Sequence, residues 1–256
     1  MTAFDLRAVN SATKYPSIPT YHSLDASNGV LVEKPWNFEG ASSVIVTEKI
    51  DGTNTRIVTL PGGDYIIGSR EELLTFKGDR IPNPMLGIVD AVRDIAEKLT
   101  PVPASLPLLG VYYGEVYGGK LPKARDYSGD GKVGFRLFDV AFIPTDILDL
   151  PVQRIATWRQ NWGQQFVLWS ELLEIEAKEG LTLVPPLANL EPSELPVSIE
   201  DTYTFLKEYA PATRALLDEL GRGRSEGVVF RSRDRYTITK ARFSDYERTL
   251  RKRGAT

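Results

Sequence analysis

The stretch Val44-Ile45-Val46-Thr47-Glu48-Lys49-Ile50-Asp51-Gly52-Thr53-Asn54 changes character halfway along. Its first residues are β-branched and nearly all apolar, the pattern of a buried strand. A lysine then closes the strand ahead of an Asp-Gly-Thr-Asn turn. An ammonium in that place is costly unless it is hydrated, paired or made to react. Lys49-x-Asp51-Gly52 therefore has two readings, an ordinary hairpin turn or a reactive lysine presented by its strand. The flanking chain decides between them.

Downstream, residues 55–60 and 65–68 read as strands around Pro61-Gly62-Gly63-Asp64. With the strand that ends at Lys49 they predict an antiparallel meander, closed by Ser69-Arg70. Residues 85–99 carry Leu86, Val89, Val92, Ile95, Ala96 and Leu99 at helical spacing, and Pro101-Val102-Pro103 ends that helix. Strands are predicted over 108–117 and 133–142, separated by a polar loop over 120–132. Within the loop, Asp126-x-Ser128-x-Asp130-Gly131 begins like a calcium-binding loop. Its twelfth position is Leu137, where a bidentate Glu is needed, and its flank is a strand, so calcium is rejected.

Residues 151–180 predict helix, with Ile155, Trp158, Trp162, Leu172, Leu173 and Ile175 as packing residues, and 185–196 a proline-punctuated connection. Asp201 is the expected cap of a helix from Thr202 towards Leu220, interrupted at Pro211. Gly221-Arg222-Gly223-Arg224 leads into a strand over 227–231. A last strand over 236–242 precedes Ser244-Asp245-Tyr246-Glu247, a capping-box pattern that predicts a short basic helix. Upstream, residues 1–40 read as irregular, with Lys14-Tyr15-Pro16-Ser17-Ile18 as a short element. The fold class is α+β, with largely antiparallel sheets and flanking helices.

Composition narrows the function. At 256 residues and 42% hydrophobic content, the chain can bury a core as one large domain or two small ones. No apolar run is long enough to cross a bilayer, and Met1-Thr2-Ala3-Phe4-Asp5-Leu6-Arg7 lacks the shape of a signal peptide, so a soluble, cytoplasmic protein is expected. The absence of cysteine excludes disulfides, a thiol nucleophile and thiolate metal sites, and the single histidine, His22, excludes His-cluster metal sites. His22 reads as a surface or packing residue. The net charge of −3 conceals an asymmetry: residues 222–253 hold eleven Lys/Arg against four Asp/Glu, which suits a phosphate backbone or forms a solvated basic tail.

A lysine that attacks phosphorus must be near neutral, which neighbouring cations or burial arrange. Where that phosphorus belongs to a nucleoside triphosphate, the phosphates need a divalent metal held by carboxylates and basic side chains to offset their charge, and the base needs an apolar platform. Candidates for each fall at predicted strand ends. Glu115 lies in Tyr113-Gly114-Glu115-Val116-Tyr117-Gly118, and Phe135 and Asp139 lie in Phe135-Arg136-Leu137-Phe138-Asp139-Val140, at odd positions of the run and so expected on one face. Glu226 lies in Ser225-Glu226-Gly227-Val228-Val229-Phe230, and Lys240 and Arg242 share a face of the last strand. Each has a plainer alternative: Phe135 as a core aromatic, Asp139 as a strand-end hydrogen-bonding residue, Arg70 as a partner of Glu71 or Glu72.

Taken in order, these segments resemble the motifs of the covalent nucleotidyltransferase superfamily, most closely the RNA ligase 2 family of phage and related RNA ligases. Thr47 to Asn54 is similar to the first motif, Gly68-Ser69-Arg70 to the arginine motif, Tyr113 to Gly118 to the third and Phe135 to Val140 to its companion. Ser225 to Phe230 is similar to the fourth, and Lys240-Ala241-Arg242 to the fifth. The likeness runs from about Lys14 to about Arg242. Six motifs in order are far more specific than any one of them. Two features depart from the pattern. The fifth motif usually has two lysines separated by one residue, whereas here the pair is Lys240 and Arg242 or, shifted by two, Ile238 and Lys240, and only a short basic stretch follows it.

The resemblance implies an ATP-grasp-like adenylation domain over 1–243 and a basic tail over 244–256, with no OB-fold. It implies an ATP-dependent RNA ligase with Mg2+ or Mn2+, acting through a lysyl-AMP on RNA with 5′-phosphate and 3′-hydroxyl ends. A minimal DNA ligase, a guanylyltransferase and a non-catalytic nucleotide- or RNA-binding module are the alternatives, and a protein partner that supplies further RNA-binding surface is left open. By the same resemblance Lys49 is the nucleophile and Asp51 contacts the ribose or the lysine's surroundings. Glu48, Asn54, Arg70, Glu115 and Phe135 bind the nucleotide, with Phe135 stacking on adenine. Glu226 binds the nucleotide and supports the metal, directly or through water, and Lys240 and Arg242 hold phosphates and help keep Lys49 deprotonated, so that Lys49, Asp51 and Lys240 form the expected catalytic set. The basic tail is expected to contact RNA.

Overall fold

The computed structural model describes residues 4–79, 87–121 and 123–254. The chain divides into two compact units, each assembled from three separate stretches. The first takes the described residues of Met1–Pro16, Gly52–Leu121 and Val133–Leu183; the second takes those of Ser17–Asp51, Pro122–Lys132 and Val184–Thr256.

The first unit is built on a six-stranded antiparallel sheet of β4 (Thr53–Thr59), β5 (Tyr65–Ser69), β6 (Leu73–Phe76), β7 (Leu108–Gly118), β8 (Val133–Pro144) and β9 (Gln165–Phe166), in the order β6-β5-β4-β7-β8-β9. Helix α1 (Leu6–Thr13) stands where the sequence reads as irregular. Its eight residues are too few to show a long periodicity, but Asp5 caps it by accepting the Arg7 N–H at 2.9 Å. Ala8, Val9 and Ala12 of α1 and Ile155 of α4 (Val152–Gln160) join Val58, Ile66, Val111, Tyr113 and Ala141 in the core. The expected helix over 85–99 is α2 (Ile88–Lys98), packed against β4, β5 and β8; Met85 and Leu86 lie outside the described residues. The helical region expected over 151–180 is two helices, α4 and α5 (Trp169–Glu179), separated by β9.

The second unit carries a four-stranded antiparallel sheet in the order β10 (Pro186–Leu190), β3 (Val44–Lys49), β11 (Gly227–Ser232), β12 (Ile238–Arg242). The meander expected through Lys49 is therefore only partly formed. β4 and β5 make the hairpin, but β3 belongs to this other sheet. An apolar run states that a strand is buried and not which strand it pairs with. The short hairpin of β1 (His22–Leu24) and β2 (Leu31–Pro35) and the one-turn helix α3 (Ala124–Tyr127) also belong here. Helix α6 (Ile199–Tyr209) is shorter than the helix expected from Thr202 towards Leu220, and Ser198 caps it in place of Asp201 by accepting the Asp201 N–H at 3.0 Å. Helix α7 (Phe243–Lys252) forms as expected, but two residues earlier than a Ser244 cap would allow. Its Phe243, Tyr246 and Leu250 enter the core with Val44, Val46, Val228, Phe230, Ile199 and Leu206.

Among the described residues no helix is long and apolar enough to cross a membrane. His22 is wholly buried. The Val197 carbonyl is an acceptor only, so His22 Nε2 carries the proton it donates there (3.0 Å), and Nδ1 accepts from the Tyr246 hydroxyl (2.8 Å).

Candidate active site

In the second unit, register sets the cationic side chains in order. Gly227 at the start of β11 pairs with Lys49 on one side and Arg242 on the other. Two rungs along, Val229 pairs with Thr47 and Lys240. Paired residues share a sheet face, as do residues two apart on a strand, so Lys49, Lys240 and Arg242 stand on the same face. Gly227 leaves a side-chain gap between Lys49 and Arg242, and a Cβ there would collide with the Ala241 carbonyl.

Lys49 Nζ lies 2.5 Å from Glu226 Oε2, with both side chains about one-fifth exposed (23% and 19%). The backbone fixes the pair: Glu226 N–H donates to the Lys49 carbonyl (3.1 Å), and Phe243 N–H donates to the Glu226 carbonyl (3.1 Å). Lys240 is fastened from both sides, its N–H donating to Pro19 and its carbonyl accepting from Tyr21. Arg242 Nε meets the buried Asp245 carboxylate at 2.8 Å, and Arg248 meets the other oxygen at 2.7 Å. That ion pair explains why the Ser244 capping box does not form: Asp245 is drawn into a bridge between the end of β12 and α7.

Glu48, the residue before the lysine, is buried and accepts the Thr213 hydroxyl and the Arg214 N–H (2.8 Å). Beyond the strand, the Asp51 N–H donates to the hydroxyl of fully buried Tyr127 at 2.6 Å, and the Asp51 carboxylate meets Lys123 Nζ at 2.7 Å. Burial pushes the Tyr127 phenol up, so it is neutral. The hydrogen bond to Asp51 raises the Lys123 ammonium, with the charges of Asp51, Glu226 and Asp126 adding to it. Lys123 and Tyr127 were not singled out from the sequence. They sit in the polar loop between two strands, and nothing local to that loop points at Asp51.

In the first unit, Asn54 of β4, Glu115 of β7 and Arg136 of β8 form one rung. Asn54 Oδ1 is buried without a hydrogen-bond partner. Arg136, also missed from sequence, reaches the Tyr117 hydroxyl (3.2 Å) and the Leu183 carbonyl (3.4 Å). Gly52, the glycine of the lysine motif, has no room for a side chain, because a Cβ would run into the Val116 carbonyl and Glu115 Cγ. Gly114 likewise lies under the Phe135 ring. Arg70 is half exposed, with Nε 3.8 Å from Glu71, a loose pair of little energetic weight.

Phe135 and Asp139 do not point the same way. β7 and β8 slip register between Tyr113 and Gly114, so Asp139 pairs with Tyr113 while Leu137 pairs with Gly114. The extra residue in β8 inverts the alternation. Asp139 is thereby wholly buried and accepts the Tyr15 hydroxyl at 2.9 Å, the strand-end hydrogen-bonding alternative. In the same rung, on the other side of Tyr113, Arg56 is fully buried, with its guanidinium on Asn10, and burial lowers it to about 10.

Among the described residues no three His, Cys, Asp or Glu side chains cluster to cage a metal ion. Mg2+ does not require such a cage, since it keeps waters and binds through one or two carboxylates together with substrate phosphates. Glu226 fits that mode.

The fold of the chain is that of solved RNA ligases. It is similar to a mutant of Naegleria gruberi RNA ligase with ATP and Mn (TM-score 0.55, 15% identity, 93% of this chain and 62% of that one). It is also similar to the same ligase with PPi (TM-score 0.54, 15% identity, 94% and 64%). The chain thus spans under two thirds of the length of those ligases. No individually curated protein sequence matches it. A family model described as RNA ligase matches residues 42–245, and the chain belongs to that family.

Proposed function

We propose that the protein is an ATP-dependent RNA ligase in which Lys49 is the nucleophile. The observation that carries the reading is the placement of Lys49 at the end of β3, paired with Glu226 and on one face with Lys240 and Arg242, in a chain of the RNA ligase family. The free amine of Lys49 attacks the α-phosphorus of ATP. An N–P bond forms, the bond to pyrophosphate breaks, and the amine gives up a proton. The AMP then passes to a 5′-phosphate of RNA, and a 3′-hydroxyl displaces it to join the strands. The Lys49–Glu226 ion pair must open before the attack, since an ammonium has no lone pair to offer.

The remaining residues hold and orient the nucleotide. Lys240 and Arg242 offset phosphate charge. Asn54 Oδ1, a buried acceptor without a partner, suits a donor brought by the nucleotide or the RNA end. Arg70 and Glu115 bind the ribose, and Glu48 steadies the strand end through its bonds to Thr213 and Arg214. Phe135, next to Arg136 on β8, faces the other side of the sheet from Glu115, so its expected stacking on the base does not belong to this reading. Mg2+ or Mn2+ held at Glu226 would neutralise phosphate charge. That the similar ligase was solved with ATP and Mn supports this choice of cofactors.

The test is covalent labelling. Protein mixed with α-labelled ATP and Mg2+ or Mn2+ retains label on a denaturing gel, and Lys49→Ala retains none. Label on a folded Lys49→Ala chain overturns the assignment. A wild type without label, after pyrophosphatase treatment to drive the reaction forward and prior discharge of any adduct, favours a nucleotide-binding module instead.

A further inference from the structure

The segment over 123–132 lies in sequence between β7 and β8 but is fastened wholly within the second unit. Leu217 N–H donates to the Tyr127 carbonyl (2.9 Å), and Gly223 N–H donates to the Asp126 carbonyl (2.9 Å). Asp218 accepts from the Ser128 hydroxyl and from the N–H groups of Gly129 (3.0 Å) and Asp130 (3.3 Å). These bonds, led by Ser128, hold the Asp218 carboxylate well below its usual range. The residues that mimic a calcium loop are thus anchor points for a different carboxylate.

That anchoring aims Lys123. Its backbone is in the left-handed region (φ 57°), a conformation uncommon for a residue with a side chain and one that collects at functional sites. Its side chain is 57% exposed and its ammonium rests on Asp51, two residues from Lys49. An exposed ion pair of this kind contributes only about 0–1 kcal/mol to stability, so fold stability does not account for it. Charge bookkeeping at the reacting lysine supplies a reason. Adenylylation replaces the Lys49 ammonium with an uncharged nitrogen carrying an anionic phosphate, so Glu226 loses its cation and faces an anion. Lys123, already in the field of Asp51 and Glu226, is the cation beside the turn that can answer the change.

We infer that Lys123 is a second lysine of the adenylylation site, held on Asp51 before reaction and stabilising the AMP phosphate once Lys49 has been consumed. This rests on the proposed lysyl-AMP chemistry. The experiment is the ratio of adenylylated to free protein at equilibrium, with ATP and pyrophosphate fixed. Lys123→Met should lower that ratio about tenfold with an unchanged melting temperature, and Lys123→Arg should restore most of it. Because Lys123 is mainly exposed, Lys123→Gln serves equally if the Met variant is poorly folded. An unchanged ratio in folded Met and Gln variants overturns the role of Lys123 and leaves Lys49 standing. A wild type that takes no label overturns both.

Discussion

Gly227 shows how one absent side chain organises a site. It separates Lys49 from Arg242 in the same rung, and a Cβ on it would meet the Ala241 carbonyl. Backbone cannot step aside as a flexible side chain can, so Gly227→Ala should cost about 1–3 kcal/mol, seen as a lower melting temperature, and should depress labelling even where the chain still folds. The positions of Lys49, Glu226 and Arg242 were legible because each stands at the end of a strand readable in the sequence, and that of Lys240 because it lies two residues from Arg242 on the same strand face. Lys123, Tyr127 and Arg136 were not, because their partners are set by long-range pairing. The shared face assigned to Phe135 and Asp139 failed for a related reason, since one inserted residue in β8 shifts the alternation and leaves no mark in the sequence.

At the scale of elements, α7 is more than a basic tail. Arg248 is engaged by Asp245, Arg253 by Glu33, and Arg224 by Glu247, so much of the positive charge counted from the sequence is paired within the unit. Tyr246, Thr249 and Leu250 are buried. Leu250→Ala should cost about 2–5 kcal/mol by denaturant unfolding, whereas Arg251→Ala, at an exposed position, should change stability by under about 0.5 kcal/mol. If the exposed basic end touches RNA, the Arg251 variant loses sealing while keeping its label.

The contact between β1 and α7 adds a pH dependence. Burial lowers the His22 imidazole below its ordinary value. Below about pH 6.5 the unfolded chain takes up a proton that the folded one resists. Stability from this residue is therefore complete above that pH and is lost as pH falls towards the depressed folded value. Melting temperature should decline between pH 7 and 5, and His22→Gln should flatten the decline; an equally steep decline in the variant would assign it to other groups. The sequence marked His22 as surface or packing, and burial settles it as packing. The cap at Ser198 and helix α1 went unread because single caps and eight-residue helices carry little periodic signal.

Over the whole molecule, each unit gathers three stretches of chain, which no composition shift in the sequence marks. A fragment ending at Leu183 carries the intact lysine motif but lacks β10, β11 and β12, the rest of the sheet that presents it. Such a fragment should take no label from ATP, and should leave the amides of 44–49 unprotected in hydrogen exchange.

The partner of Lys49 lies 177 residues further along. During synthesis the lysine therefore leaves the ribosome long before Glu226, Gly227 and Lys240 exist, and at about 5–20 residues per second the delay is on the order of ten seconds or more. Until β10 is made both edges of β3 are open, and the edge that β11 takes stays open longer, a template for wrong pairing. The same long-range closure that withholds a reactive site from the unfinished chain makes the nascent protein depend on swift completion, or on a chaperone that shields residues 44–49.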